Sequence, residues 1–477
     1  MDPATQQPLP ICVDLDGTLV RTDMLLEGLC AIATSPKRWP GLIAGRGSRA
    51  ALKQAVARLA PIDPATLPYN TKLLDFLRAE KASGRTIVLA TAADQAVAKP
   101  IAAYLGVFDD VIASDGRRNL KGAAKAAALV ERFGAGQFCY AGNDASDEQV
   151  WDQAGAAIVV NAPPAVLARV RAAHVVQRVI DDQPDLWPGL ARAIRPHQWV
   201  KNVLVFVPIV TAHALTETSA WAGGLLAFAA FCCTASAIYI VNDLSDLSAD
   251  RAHPRKRSRP FANGAVPLQA GVAAAAALLL AGLGLAFACH ATAVVAIYAA
   301  LSIGYSFGLK ALPLVDIFIL AALYTIRMVG GGEATGHRLS LWLLAFSSFL
   351  FLGLALLKRV EEMMAVALTG QSKAARRGYA VADLPVLQTF GIASAFAATI
   401  VLALFVQAEA ATQTYQGATL LWLIVPLILF WQCRMWLSCA RGYMHHDPVI
   451  YAARDWVSWL IGVAMGIVLL GARSISI

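Results

Sequence analysis

The sequence predicts two parts of different character: an N-terminal α/β domain with a small helical cap, then an all-α polytopic membrane domain of about nine transmembrane helices. Three observations carry that expectation. In the first 180 residues, short apolar runs alternate with helix-like segments, the pattern of a parallel sheet with its site at the strand C-termini. Beyond Trp199 the apolar stretches lengthen until each is near the span of a hydrocarbon core. The whole chain of 477 residues is 57% hydrophobic and only 15% charged, with the hydrophobicity unevenly spread, as in a composite of a water-soluble and a membrane part.

Charge and cysteine content narrow the class. The formal net charge is +8, and the basic residues of the second part sit mostly in short loops. That arrangement fits membrane orientation and anionic substrates. No basic stripe with interleaved aromatics is present, so nucleic acid is not an expected partner. The eight cysteines show no CxxC or other metal spacing and lie mostly in apolar runs, where a small buried hydrophobe is the expected role. The N-terminus, MDPATQQPLP, leads into a strand without the features of a signal peptide, so the first domain is expected to stay in the cytoplasm.

Taken in order, Ile11–Thr18 is a short apolar strand ending in a DLDGT loop. Further strands are expected at 86–90, 111–113, 137–141 and 156–160. The interval 21–70 is too long for a plain crossover and carries helical patterning at 49–59, hence the small cap. Two carboxylates flank Leu15, and alternation along an extended strand end turns both towards one pocket. One could attack phosphorus while the other protonates the leaving oxygen. The expected domains are 1–180, an interfacial linker at 181–198, and 199–477. The linker, with Pro184, Trp187, Pro188 and Pro196 beside Arg192 and Arg195, reads either as a short amphipathic helix on the membrane surface or as an ordinary connection.

Spans are expected at 199–215, 219–241, 266–288, 290–308, 313–331, 340–357, 387–407, 417–437 and 456–472. With the N-terminus inside, the cytoplasmic loops hold Arg251, Arg255, Lys256, Arg257, Arg259, Lys310, Lys358, Arg359, Lys373, Arg376, Arg377, Arg441 and Arg454. The opposite side holds only Arg338 and Arg473. This asymmetry places the stretch NDLSDLSADRAHPRKRSRP, Asn242–Pro260, on the same side as the first domain. In it Asp243, Asp246 and Asp250 fall at i, i+3 and i+7, one face of a helix, followed by a basic run. Carboxylates beside cations at the mouth of a membrane helix suit a Mg²⁺-bound diphosphate; a solvated loop that only fixes topology is the plain alternative. Charges at membrane depth usually face a polar cavity. Arg327 and Lys310 could therefore grip phosphates, or Arg327 could pair with Asp316 within the bundle. Gly330–Gly332 either loosens the end of the fifth span or allows close packing, and His445 and His446 form no metal spacing.

DLDGT, the apolar TIVLA before Thr91, KAAALVERFG and GND occur in the order found in the haloacid-dehalogenase-like phosphohydrolases, which residues 8–175 resemble. The resemblance implies a Rossmann-like phosphatase with Asp14 as nucleophile, Asp16 as general acid/base and Thr91 binding the phosphoryl group. It also implies Lys125 as the neutralising cation, with Lys121 as runner-up, and Asp144 as a ligand of one Mg²⁺ with Asp14 and Asp16. Asp147 stands behind that motif.

The ordered string ND-x-x-D-x-x-x-D followed by HP-x-K-x-x-RP resembles the UbiA superfamily of intramembrane prenyltransferases. RPHQWVKN at 195–202, YSFGLK at 305–310 and the KRxxE beginning at Lys358 resemble its polyprenyl-phosphate phosphoribosyltransferase branch, and the likeness covers 192–475. No DxxxD follows the sixth span, which weakens the aromatic-acceptor reading. The resemblance implies phosphoribosyl transfer from phosphoribosyl diphosphate (PRPP) to a polyprenyl phosphate. A second Mg²⁺ would sit on Asp243, Asp246 and Asp250. Asn242, Lys256, Arg259, Lys310, Arg327, Lys358, Arg359 and Lys201 would bind substrate. Both sites are then expected on the cytoplasmic face of a bacterial inner membrane, with the first domain removing the product's 5-phosphate. Alternatives are a prenyltransferase using a prenyl diphosphate and an aromatic acceptor, a nine-span transporter, or a first domain that only binds or stabilises. A homo-oligomer is left open.

Overall fold

The computed structural model describes residues 8–474 apart from 34, 45–46, 369, 371–377, 409–414 and 445–446, so His445, His446, Lys373, Arg376 and Arg377 lie outside the described residues. The chain divides into two compact units, one of residues 1–194 with 239–275, the other of 195–238 with 276–477.

In the first unit, β1 (Ile11–Val13), β2 (Ile87–Asp94), β3 (Asp110–Ser114), β4 (Cys139–Gly142), β5 (Ala156–Val160) and β6 (Val176–Ile180) form one parallel sheet in the order β3-β2-β1-β4-β5-β6. β1 lies between β2 and β4, with Ile11 opposite both Ile87 and Cys139. Its side chains alternate between two cores: Ile11 and Val13 join Leu73, Leu77 and Leu89, while Cys12 joins Phe138, Tyr140 and Trp151. Both faces are therefore covered, which is why the strand reads as a continuous apolar run. The strand order reverses at β1, so the chain ends after β1 and β4 open a crevice, the usual place for a ligand.

Two strands differ from expectation. β2 runs on through Thr91 to Asp94, and β6 was not foreseen because VQRVI carries two polar residues on an edge strand. The cap is present. Helix Arg49–Leu59 begins on Ser48, whose hydroxyl accepts the Ala51 N–H, and it packs Val56 against Ile32 of helix Met24–Ala33. A short helix, Leu186–Ala193, lies in the linker with Trp187 exposed.

The second unit is helical. Among the described residues of the chain, seven helices are long and apolar enough to cross a membrane, where about nine were expected. The expected fourth span is the 16-residue helix Thr292–Phe307. The expected first span is a 3₁₀ segment, Pro196–Phe206, followed by the short helix Val207–Thr211. Pro208 cannot donate to a preceding turn, so 199–215 does not form one helix. The triple glycine resolves as close packing: a Cβ on Gly331 would lie 2.0 Å from the Val205 carbonyl oxygen, and one on Gly330 would lie 2.6 Å from the Phe231 ring.

Candidate active sites

The loop after β1 and the loop after β4 meet at the sheet edge. The Asp14 carboxylate accepts the Leu15 N–H at 2.8 Å and lies 3.0 Å from the Lys125 ammonium. Lys125 is buried, 3.5 Å from Asp147 and 2.6 Å from the Tyr140 hydroxyl, which itself donates to Asp147 at 2.9 Å. Asp147 in turn accepts the backbone N–H groups of Asn143 and Asp144, fixing the GND loop. Asp16 accepts the Met24 N–H at 2.9 Å, which ties it to the first turn of the cap.

Burial pushes the Asp14 carboxyl up to about 6, with Lys125 pulling against it. Burial and the nearby Asp23 carboxylate push Asp16 up to about 7. For Lys125, the burial cost is outweighed by Asp14 and Asp147, and the ammonium is held above its ordinary value. One cavity of about 260 Å³ is lined by Asp14, Asp16, Asn143, Asp144 and Lys125, with Lys121 at the rim. Thr91 does not line it: the residue is fully buried in β2 and its hydroxyl accepts the Ala93 N–H, while Ala92 reaches the cavity instead. Its expected phosphate contact rested on the strand ending at Ala90.

Three hard carboxylate donors on one cavity, two of them half-buried and held by backbone N–H groups, fit a divalent cation. Among the described residues no three His, Cys, Asp or Glu side chains are arranged to hold a metal by themselves. Mg²⁺ is ordinarily bound by one or two carboxylates with substrate phosphates and water completing its shell, so the donor set agrees with such an ion.

The Asp-rich stretch is not one helix. Helix Thr218–Ser245 carries Asn242 and Asp243 in its last turn, Asp246 stands at the break, and Asp250 lies in the short helix Leu247–Ala252. Arg259 closes the break by donating to Asp243 at 3.1 Å and to Asp250 at 2.7 Å. Asp243 and Asp250 are buried, Asp246 and Asn242 half-buried, and Lys256 is exposed. The helix is interrupted at one residue, Asp246, yet Asp243 and Asp250 still converge on one guanidinium nitrogen of Arg259.

In the second unit, Lys201 and Lys358 share Asp447, at 2.6 and 3.1 Å. Tyr324 donates to the same carboxylate at 3.3 Å. Asp447 was missed because its local signal, Asp before Pro448, reads as a helix cap, which it also is. Arg327 does not pair with Asp316; it donates to Asn202 at 2.8 Å and to the Tyr298 hydroxyl at 2.9 Å. Asp316 belongs to Arg359, at 2.6 Å, with both side chains fully buried and Tyr379 donating to Asp316 at 2.6 Å. Arg359 also contacts Glu362, so the structure places this expected substrate residue between two carboxylates. Lys310 is half-buried in the turn Leu309–Ala311. Two apolar clefts, of about 400 and 430 Å³, open between helices, one beside Trp436 and Ile392, the other beside Phe318 and Phe390.

A parallel α/β fold with an aspartate-rich phosphohydrolase crevice, joined to a helical membrane part, defines a composite membrane enzyme. The chain belongs to the UbiA prenyltransferase family, whose model matches residues 203–451, and the model of the haloacid dehalogenase-like hydrolases matches residues 11–150. It is 38% identical to protein y4nM of Sinorhizobium fredii over 464 residues, 95% of this chain and 89% of that one. It is 40% identical over 192 residues to the decaprenyl-phosphate phosphoribosyltransferase of Corynebacterium glutamicum, covering 39% of this chain and 58% of that protein. The structure of a UbiA homologue from Archaeoglobus fulgidus bound to GPP and Mg²⁺ matches with a TM-score of 0.47 at 15% identity, over 60% of this chain and all of that one.

Proposed function

We propose that this chain is a two-activity enzyme of the bacterial inner membrane. Its membrane part transfers 5-phosphoribose from PRPP to a polyprenyl phosphate, and its α/β part removes the 5-phosphate to leave polyprenyl-phosphate ribose. The observation that carries the reading is the Asp243–Arg259–Asp250 cluster, hard oxygens and a guanidinium held together where a diphosphate can exchange for the internal ion pair. The likeness to a named decaprenyl-phosphate phosphoribosyltransferase supports the choice of substrates.

In the transfer step the bond from ribose C1 to the diphosphate breaks and a lipid-phosphate oxygen forms the new bond to C1. A phosphate monoester is already anionic at neutral pH, so the reaction asks for cations and not for a strong base. Arg259 donates to the leaving diphosphate, whose charge a Mg²⁺ on Asp243, Asp246 and Asp250 would neutralise; Lys201, Lys358 and Arg327 of the second unit are the proposed phosphate-binding cations. The apolar clefts take the polyprenyl tail. In the hydrolytic step Asp14 attacks the 5-phosphate, Asp16 delivers its proton to the departing ribose oxygen, and water then frees Asp14 with Asp16 as base. A carboxyl pushed up to about 7 is matched to that exchange near neutral pH. Mg²⁺ at each carboxylate set would neutralise phosphate charge. Lys125 holds the nucleophile and faces the negative charge that builds on phosphorus.

The test supplies membranes with labelled PRPP, a polyprenyl phosphate and Mg²⁺, and compares wild type with Asp243→Ala and Asp14→Asn. Label should enter the lipid phase in wild type and Asp14→Asn but not in Asp243→Ala, and only Asp14→Asn should accumulate the 5-phosphorylated lipid. Lipid label that appears only with a prenyl diphosphate and a phenolic acceptor would refute the substrates while leaving the family intact.

A further inference from the structure

The phosphohydrolase cavity has a wall that the α/β fold does not supply. Besides the residues after β1 and β4 it is lined by Gly264, Pro267, Leu268 and Gln269, which lie beyond the Asp-rich stretch in the same compact unit. Three contacts seat this wall. Arg251 makes a two-pronged buried ion pair with Glu27 of the cap, at 2.6 and 3.0 Å, and its Nε donates to the Ala262 carbonyl at 3.0 Å. Gly264, at φ +72°, lies so close to the backbone of Arg21 that a Cβ there would meet the Arg21 carbonyl oxygen at 2.9 Å. Gln269 donates to Asp23 at 3.3 Å, beside the Asp16 carboxylate.

This wall presents the Gly264 backbone, Pro267, Leu268 and one amide, Gln269, so it discriminates by shape and hydrogen bonding: an amide offers both donors and an acceptor to hydroxyl groups without adding charge next to a phosphate. A substrate lacking those hydroxyls leaves the amide oxygen and the N–H not given to Asp23 without a substrate partner. We propose that Gly264–Gln269 is the specificity-determining wall of the phosphohydrolase site, with Gln269 selecting a hydroxylated sugar phosphate over a flat aryl phosphate. This rests on the hydrolytic reading given above.

The experiment uses the full-length protein in detergent and measures kcat and KM for release of phosphate from ribose 5-phosphate and from p-nitrophenyl phosphate, with Asp14→Asn as background. In Gln269→Ala the ratio of kcat/KM for the sugar phosphate to that for the aryl phosphate should fall about tenfold, mostly through KM. Gln269→Glu, which adds a carboxylate facing the phosphate, should lower the same ratio further. Unchanged ratios in both variants, with wild-type melting behaviour, would overturn the assignment of the wall. Absence of Asp14-dependent hydrolysis of both substrates by wild type would instead remove the hydrolytic reading, and the wall's role with it.

Discussion

Arg251→Met tests whether the wall is held by the Glu27 pair. Glu27 and Arg251 side chains are 7% and 3% exposed, so the variant leaves a carboxylate buried with only the Thr22 hydroxyl, 3.0 Å away, to stabilise it. Removing one partner of a buried pair costs about 3–5 kcal/mol, and the lost bond to the Ala262 carbonyl falls within that range. If the segment opens locally, amide exchange in it should accelerate by about two to three and a half orders of magnitude, at tenfold for every ~1.4 kcal/mol. Hydrogen exchange read by mass spectrometry has defined reporters: the Asn263 N–H bonded to Arg259 and the Val266 N–H bonded to Pro260. Glu27→Leu combined with Arg251→Met replaces both charges by apolar groups and should recover most of the protection, since a buried pair exchanged whole for apolar groups is often neutral. Equal exchange in wild type and Arg251→Met, or a double variant as open as the single one, would refute the reasoning.

Two further outcomes are expected. Asp447→Asn leaves the Lys201 and Lys358 ammoniums facing each other without their shared anion, so phosphoribosyl transfer should be lost while phosphate release from ribose 5-phosphate is unchanged; Lys358→Met added to it should restore the yield of folded protein but not transfer. Gly331→Ala drives a Cβ into the Val205 carbonyl and should lower the melting temperature in detergent by several degrees, whereas Gly284→Ala, whose Cβ meets nothing within 4 Å, should leave it unchanged or slightly higher.

The phosphohydrolase crevice was legible because its chemistry is local. Asp14 and Asp16 follow one strand, Asn143 and Asp144 another, and parallel pairing of β1 with β4 brings those strand ends together wherever the sheet forms. Lys125 was preferred to Lys121 on motif spacing; in the structure helix Ala123–Phe133 buries Lys125 beside Asp14, while Lys121, ahead of that helix, is exposed. The membrane charges were harder for the opposite reason. Lys358 and Arg359 are neighbours in sequence with the same chemistry, yet consecutive helical residues point about 100° apart, so one reaches Asp447 and the other Asp316. Nothing in a hydropathy profile distinguishes them, and Asp447, 89 residues from Lys358, is invisible to any local pattern.

The Asp-rich stretch shows why spacing alone misleads at a helix end. The i, i+3, i+7 pattern says nothing of Arg259, which lies beyond a 3₁₀ turn at Lys256–Ser258 and reaches Asp243 and Asp250 together because the chain turns back after Asp250. The helix ends at Ala252, where that turn begins. The same return carries Arg251 to Glu27 and Gly264 to Arg21. The turn of the chain after Asp250, which no carboxylate spacing encodes, is therefore what lets one segment form the Asp243–Arg259–Asp250 cluster and also line the α/β cavity of the same unit.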